Sequence, residues 1–178
     1  MKNQERSLEQ YFQAAVQYHV TARYAALAGF LPVCGNLFHR AIEMYLKGYL
    51  CTTLNEAQRR HLKHNLPEIW ARFKKEVSGS RLDGFDEIVS ALHKFERIRY
   101  PEEIVRRGML ALIRFKKSDV EIMESSRREV RYEVVVGELD ALAKVIFEES
   151  KFNPLFFTKS LNRHALTYLK ELNQSNIW

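Results

Sequence analysis

Cysteine is scarce in this sequence. Cys34 and Cys51 are the only two, and no C-x-x-C surrounds either. That count excludes a disulfide framework or a zinc ribbon, and it fits reduced, inert thiols in a cytoplasm. Seven glycines and four prolines are too few breakers for an all-β chain with its many turns. No run of about 18 apolar residues occurs, so no membrane-spanning helix is expected. The opening MKNQERSLEQ lacks the apolar core of a signal peptide. Also missing are the G-x-S-x-G elbow of many hydrolases, the G-x-x-x-x-G-K-S/T phosphate loop and the G-x-G-x-x-G dinucleotide turn. With no cofactor motif present, no cofactor is expected.

What is present is enough for one domain: 178 residues, 46% apolar and 28% charged, the composition of an ordinary globular chain. The net charge of +6 is uneven. Residues 58–81 hold Arg59, Arg60, Lys63, Arg72, Lys74, Lys75 and Arg81 against Glu68 and Glu76. A patch of that kind attracts phosphates; its bland counterpart is a solvated helix face. Arg59, Arg60, Lys63, Arg72 and Lys75 are the candidate nucleic-acid contacts.

Periodicity predicts a mainly α fold, an up-and-down bundle of five to six helices with a small β-hairpin insert. A first helix is expected over residues 7–28, opened by a Ser7/Gln10 capping box, with His19 on its buried stripe. A second, over residues 34–52, is apolar nearly all round and belongs at the centre. Its polar residues Asn36, Arg40, Glu43 and Lys47 fall on one line. A polar linker follows, and Asn65 is placed to cap a third helix whose stripe is Leu66, Ile69, Trp70, Phe73 and Val77, ended by residues 78–80. A fourth, from Asp83 to a stop at Pro101, carries its inner stripe through Phe95 to Arg99. An arginine at an inward position requires an acidic or backbone partner. Residues 109–115 and 129–136 read as two strands of a hairpin, within an insert of about 103–136. Helices over residues 137–149 and 154–172 complete the single domain, 1–178.

Three segments carry a resemblance. Leu37-Phe38-His39-Arg40-Ala41-Ile42-Glu43-Met44-Tyr45-Leu46-Lys47-Gly48-Tyr49-Leu50 resembles the A-x-E-x-x-L-K-A-x-L helix of HEPN domains (higher eukaryotes and prokaryotes nucleotide-binding). His64-Asn65-Leu66 is similar to that family's G-H-D-L, with Lys63 in place of glycine and Asn65 in place of aspartate. Arg99-Tyr100-Pro101-Glu102 resembles its R-Y-P-D. They occur in family order over residues 7–150.

The resemblance implies a helical module that binds a nucleotide, RNA or a protein partner such as a nucleotidyltransferase, forms homodimers and works in the cytoplasm. Glu43, Lys47, His64, Asn65 and Arg99 become the candidate ligand-binding groups, meeting in one groove; a buried ion-pair network is the alternative use of the same residues. Many HEPN domains are metal-independent ribonucleases of toxin–antitoxin or defence systems, with R-x(4–6)-H at the start of a late helix. Here no histidine follows Arg99 until His164, so no catalytic residue is assigned and a silent module is expected. Arg59 and His64 fit the spacing but lie earlier in the chain. His61 and His64 form an H-x-x-H without acidic neighbours, and no metal site is expected from it. A purely structural homodimerisation domain is the third function class.

Overall fold

The computed structural model describes residues 2–77, 82–100, 102, 105, 111–116, 132–171, 173 and 177–178. The expected helix end at 78–80, Arg81, the stop at Pro101, most of the 103–136 insert and Leu172 lie outside them.

Helix α1 spans Lys2–Leu27. It begins five residues before the expected cap, because nothing in Lys2–Arg6 breaks a helix, and Ser7 falls inside it. Gly29, at φ 73°, ends it in the left-handed conformation that glycine adopts without strain. Helix α2, Val33–Leu50, packs along α1 as the central element. Phe38, Ala41, Ile42, Tyr45 and Leu46 are completely buried, as their all-round apolar pattern requires. Gly35 has a close-approach role: a Cβ there would sit 2.1 Å from the Phe95 ring.

The expected linker contains a short helix, α3, Glu56–His61. Asn55 and Gln58 cap each other's backbone at 2.9 and 3.0 Å, an N-x-x-Q signal of the capping-box kind. Helix α4, Leu66–Glu76, buries Leu66, Ile69, Trp70 and Phe73, the stripe read from sequence.

The fourth expected helix is three pieces: a 3-10 turn at Asp83–Phe85, α5 at Asp86–His93, and a 3-10 segment at Lys94–Arg99. Three residues per turn replace 3.6 after His93. Phe95 and Ile98, three apart, are therefore both buried, and Arg99 is turned out to solvent. This corrects its inward assignment.

Strands β1, Ala111–Arg114, and β2, Tyr132–Val135, pair with Ala111 opposite Tyr132. The pairing is parallel, where a hairpin would be antiparallel. The connector of residues 115–131 exceeds the roughly dozen residues a crossover needs.

Helix α6, Val136–Glu149, follows β2 directly. The single helix expected over 154–172 is instead α7, Pro154–Thr158, and α8, Arg163–Lys170. Each starts on an asparagine: Asn153 accepts from the Leu155 amide and Asn162 from the Ala165 amide, both at 2.9 Å.

A buried polar knot ties α1 to α6 and α8. His19 Nε2 lies 2.8 Å from Asp140 Oδ1, so His19 is the core histidine expected. Arg23 donates to Asp140 Oδ2, to the Tyr168 carbonyl at 2.7 Å and to the Glu171 carbonyl. Arg23 and Asp140 are both fully buried, and removing either partner of such a pair costs about 3–5 kcal/mol.

Candidate functional site

The polar line of α2 folds over a turn that brings His64 to it. Glu43 is 2% exposed at its side chain. Its Oε1 accepts from Lys47 Nζ at 2.8 Å and its Oε2 from Arg40 Nη1 at 2.9 Å. His64 Nδ1 lies 3.0 and 3.1 Å from the two oxygens. Burial alone would raise the Glu43 pKa. The hydrogen bond and charge of Lys47, the charge of Arg40 and the His64 hydrogen bond overcome that and hold it below the ordinary value. Lys47 also donates to the Lys63 carbonyl. Lys63 has φ 46°, so this turn is left-handed at the position where the resembled motif has glycine. That conformation turns the chain between Leu62 and Asn65, where His64 meets Glu43 and Lys63 offers its carbonyl to Lys47.

His64 Nδ1 meets both the Glu43 carboxylate and, at 2.9 Å, Nη1 of Arg40. Among the described residues, His64 Nε2 makes no hydrogen bond. Arg40, on the polar line but not among the site residues assigned from sequence, joins the cluster; its i,i+3 spacing to Glu43 was the available signal. His39, behind it, is buried and its ring stacks on His93 at 5.9 Å. Burial, helped by the positive charges of Arg40 and neighbouring histidines and opposed by Glu43, pushes the His39 pKa down to about 4.

Two of the assigned residues do other work. Arg99 pairs with Glu96 at 3.1 Å and donates to Tyr100 Oη at 2.6 Å; no hydrogen bond or ion pair joins it to Glu43. Asn65 stands at the N-cap position of α4 but makes no side-chain cap. Its amide donates to Glu68 Oε2 at 3.1 Å instead, so the positive end of α4 already carries a carboxylate in its first turn.

The basic segment divides. Arg59 donates to the Leu54 carbonyl and thereby closes the turn after α2. Arg60 pairs with Glu56 at 2.5 Å and Arg72 with Glu76 at 3.3 Å, both exposed i,i+4 pairs. Lys74 is held by Asp83 and Asp86. Arg72 and Lys75 line a cleft of about 530 Å³ between α3 and α4, with Leu54, Ala57, Leu62 and Ala71 as apolar surface and Gln58, His61 and Glu68 beside them. At 100° per residue, Arg59 falls on the far side of α3 from Ala57, Gln58 and His61 and Arg60 lies at the flank beside Ala57; neither lines the cleft. Lys63, in the turn after α3, is exposed and is not among the lining residues.

His61 borders this cleft whereas His64 turns to Glu43, so the H-x-x-H pair serves two different neighbourhoods. Among the described residues, no three His, Cys, Asp or Glu side chains are placed to share a metal ion. No described helix is long and apolar enough to cross a membrane. Comparison with models of known protein families finds no match, and comparisons with curated proteins and with solved structures find no similar chain.

Proposed function

We propose that this chain is a HEPN-like binding module whose ligand is a nucleotide or the end of an RNA strand, held in the α3–α4 cleft. The observation that carries the reading is the cleft itself. Its apolar floor suits a planar base, and Arg72 and Lys75 at its edge suit one or two phosphates. Gln58 has spare amide donors for a base edge, since only its Oε1 is used in capping. The three HEPN-like segments support the same reading through the resemblance.

Calorimetric titration with AMP, ADP and ATP tests it. Binding is expected, weakened about tenfold or more by Arg72→Ala together with Lys75→Ala, as loss of two charged hydrogen-bond donors implies. Absence of heat for all three nucleotides, with the fold intact, sinks the proposal.

A second reading, a metal-independent endoribonuclease, is favoured by His64. A histidine oriented by a buried carboxylate, with its outer nitrogen bare and Arg40 adjacent, has the makings of a proton acceptor beside a phosphate-holding cation. The module reading expects no cleavage of single-stranded RNA in EDTA at neutral pH. Cleavage abolished by His64→Ala, in a variant that keeps its helical circular dichroism, establishes the second reading instead.

A further inference from the structure

Among the described residues, a run of unneutralised positive charge lies outside the segment that stands out in sequence. Residues 151–170 contain Lys151, Lys159, Arg163 and Lys170 and no carboxylate. All four side chains are exposed. None forms an ion pair with a carboxylate among the described residues, whereas Arg60, Arg72 and Lys74 of the earlier segment all do. Arg163, Thr167 and Lys170 recur at i, i+4 and i+7 and so share the outer face of α8.

The supporting helix carries its carboxylates, Glu5 and Glu9, in its first two turns and adds none after them. Both α7 and α8 pack against α1, where residues 10–27 include one charged side chain, the buried Arg23. The contacts are specific: Gln13 to Ser160 at 3.1 Å, and Tyr24 against Tyr168 with ring centroids 4.8 Å apart. Two aromatic rings stand in the open here. Phe156 is 56% exposed and Tyr24 is 44% exposed. Lys159 Nζ lies 5.5 Å from the Phe156 ring centroid. Carboxylates Glu148, Glu149 and Glu171 flank the segment in sequence without entering it.

From this combination we infer that the face formed by α1, α7 and α8 binds single-stranded nucleic acid, with phosphates on Lys159, Arg163 and Lys170 and a base stacked on Phe156 or Tyr24. Exposed aromatics interleaved with unpaired cations are what a sequence-tolerant single-strand surface requires: cations follow the backbone and rings accept any base. An anionic membrane would also meet the cations. It is disfavoured because the polar Gln13, Gln17, Thr21, Asn162 and Thr167 lie among them and the exposed pair Leu155 and Phe156 is too small an apolar patch to anchor in lipid. The inference is independent of the α3–α4 cleft, which is built on the α2 side of the bundle.

Fluorescence anisotropy of a labelled oligouridylate with the full chain, at about 50 and 200 mM salt, tests the inference. Three or four phosphate contacts give a log–log salt slope of about −2 to −3 on a single strand. Lys159→Glu with Arg163→Glu and Lys170→Glu should weaken binding by about tenfold or more, and Phe156→Ala by about fivefold or more. Lys94→Ala with Arg97→Ala, exposed cations that belong to neither site, should leave oligouridylate affinity within about twofold, because distant positions do not couple. All these changes are at exposed positions, and unchanged urea midpoints verify the fold. Any of three results overturns the inference: no binding at about 50 mM salt, a triple variant that binds as the parent does, or loss of binding only in the cleft variant, Arg72→Ala with Lys75→Ala. Co-sedimentation with phosphatidylcholine–phosphatidylserine vesicles, with no affinity for the oligonucleotide, also overturns it and assigns the face to membranes. Mononucleotide titration of the triple variant reports separately on the cleft.

Discussion

Glu43 grips His64 through both carboxylate oxygens, 3.0 and 3.1 Å from Nδ1, while the arginine that sequence spacing aims at it, Arg99, faces solvent with 41% of its side chain exposed. These two residues therefore differ sharply in what their loss should do. Glu43→Ala leaves Lys47 largely buried without its counter-charge and should cost about 3 kcal/mol, the lower end for breaking a buried pair because Arg40 and His64 can turn to water. Arg99→Met removes an exposed i,i+3 pair and should cost no more than about 0.5 kcal/mol. Urea unfolding of both variants decides the matter; similar losses in the two would show that Arg99 belongs to the buried network after all.

Acid should weaken the fold over a defined window. Folded His39 takes up a proton only near pH 4, whereas an unfolded chain does so near pH 6.5. Between those limits the unfolded state holds more protons, so stability rises with pH. The His39 contribution is complete above pH 6.5 and is lost as pH falls toward 4, roughly 3 kcal/mol in all. Glu43, also held below its ordinary value, adds a loss in the same direction at lower pH. Urea midpoints at pH 7, 5.5 and 4.5 should fall steadily, and His39→Gln should flatten the upper part of the decline. An unaltered slope in that variant would mean that burial of this imidazole has no share in the effect.

Lys63 occupies a left-handed turn, φ 46°, with its side chain in solvent. A non-glycine residue there costs roughly 1–2 kcal/mol, partly offset by the greater freedom glycine loses on folding. Lys63→Gly should therefore stabilise the protein by about 0.5–1 kcal/mol, while keeping the Lys47 bond to the backbone carbonyl. Thermal unfolding measures it, and a lowered midpoint contradicts the account of this turn.

Gly35 is the opposite case, since its backbone angles are helical and only space is at issue. A methyl group 2.1 Å from the Phe95 ring must displace a fully buried aromatic. Gly35→Ala should cost about 1–3 kcal/mol through overpacking, despite the better helix propensity of alanine. Combining it with Phe95→Leu should recover part of the loss; no recovery would locate the damage elsewhere.

Much of this architecture is legible in the residues. The stripe Leu66, Ile69, Trp70, Phe73 and the all-round apolar character of α2 mark what is buried, and Glu43 and Lys47 pair as their i,i+4 spacing implies. Asn55-x-x-Gln58 and Asn162 are start signals for α3 and α8 of the kind used elsewhere in the chain. Arg99 was not legible, because no residue at 93–94 announces a change from 3.6 to three residues per turn. Nor was the parallel pairing of β1 with β2: strand direction follows from the path of the connector, which alternation of Val130, Tyr132 and Val134 does not encode. Pairing state also decides which cations remain available. A count of charges favoured residues 58–81, whereas partners such as Glu56, Glu76, Asp83 and Asp86 leave the freer charge on α7 and α8.

The tightened winding at Lys94–Arg99 has a steering consequence. Each residue of a 3-10 helix advances about 120° around the axis instead of 100°. Six such residues accumulate a lead of about 120°, a third of a revolution, over a continuous α-helix. A substitution that let this stretch relax to α-helical pitch would swing Arg99 back toward α2, so the pitch of six residues decides whether this arginine meets the bundle or water.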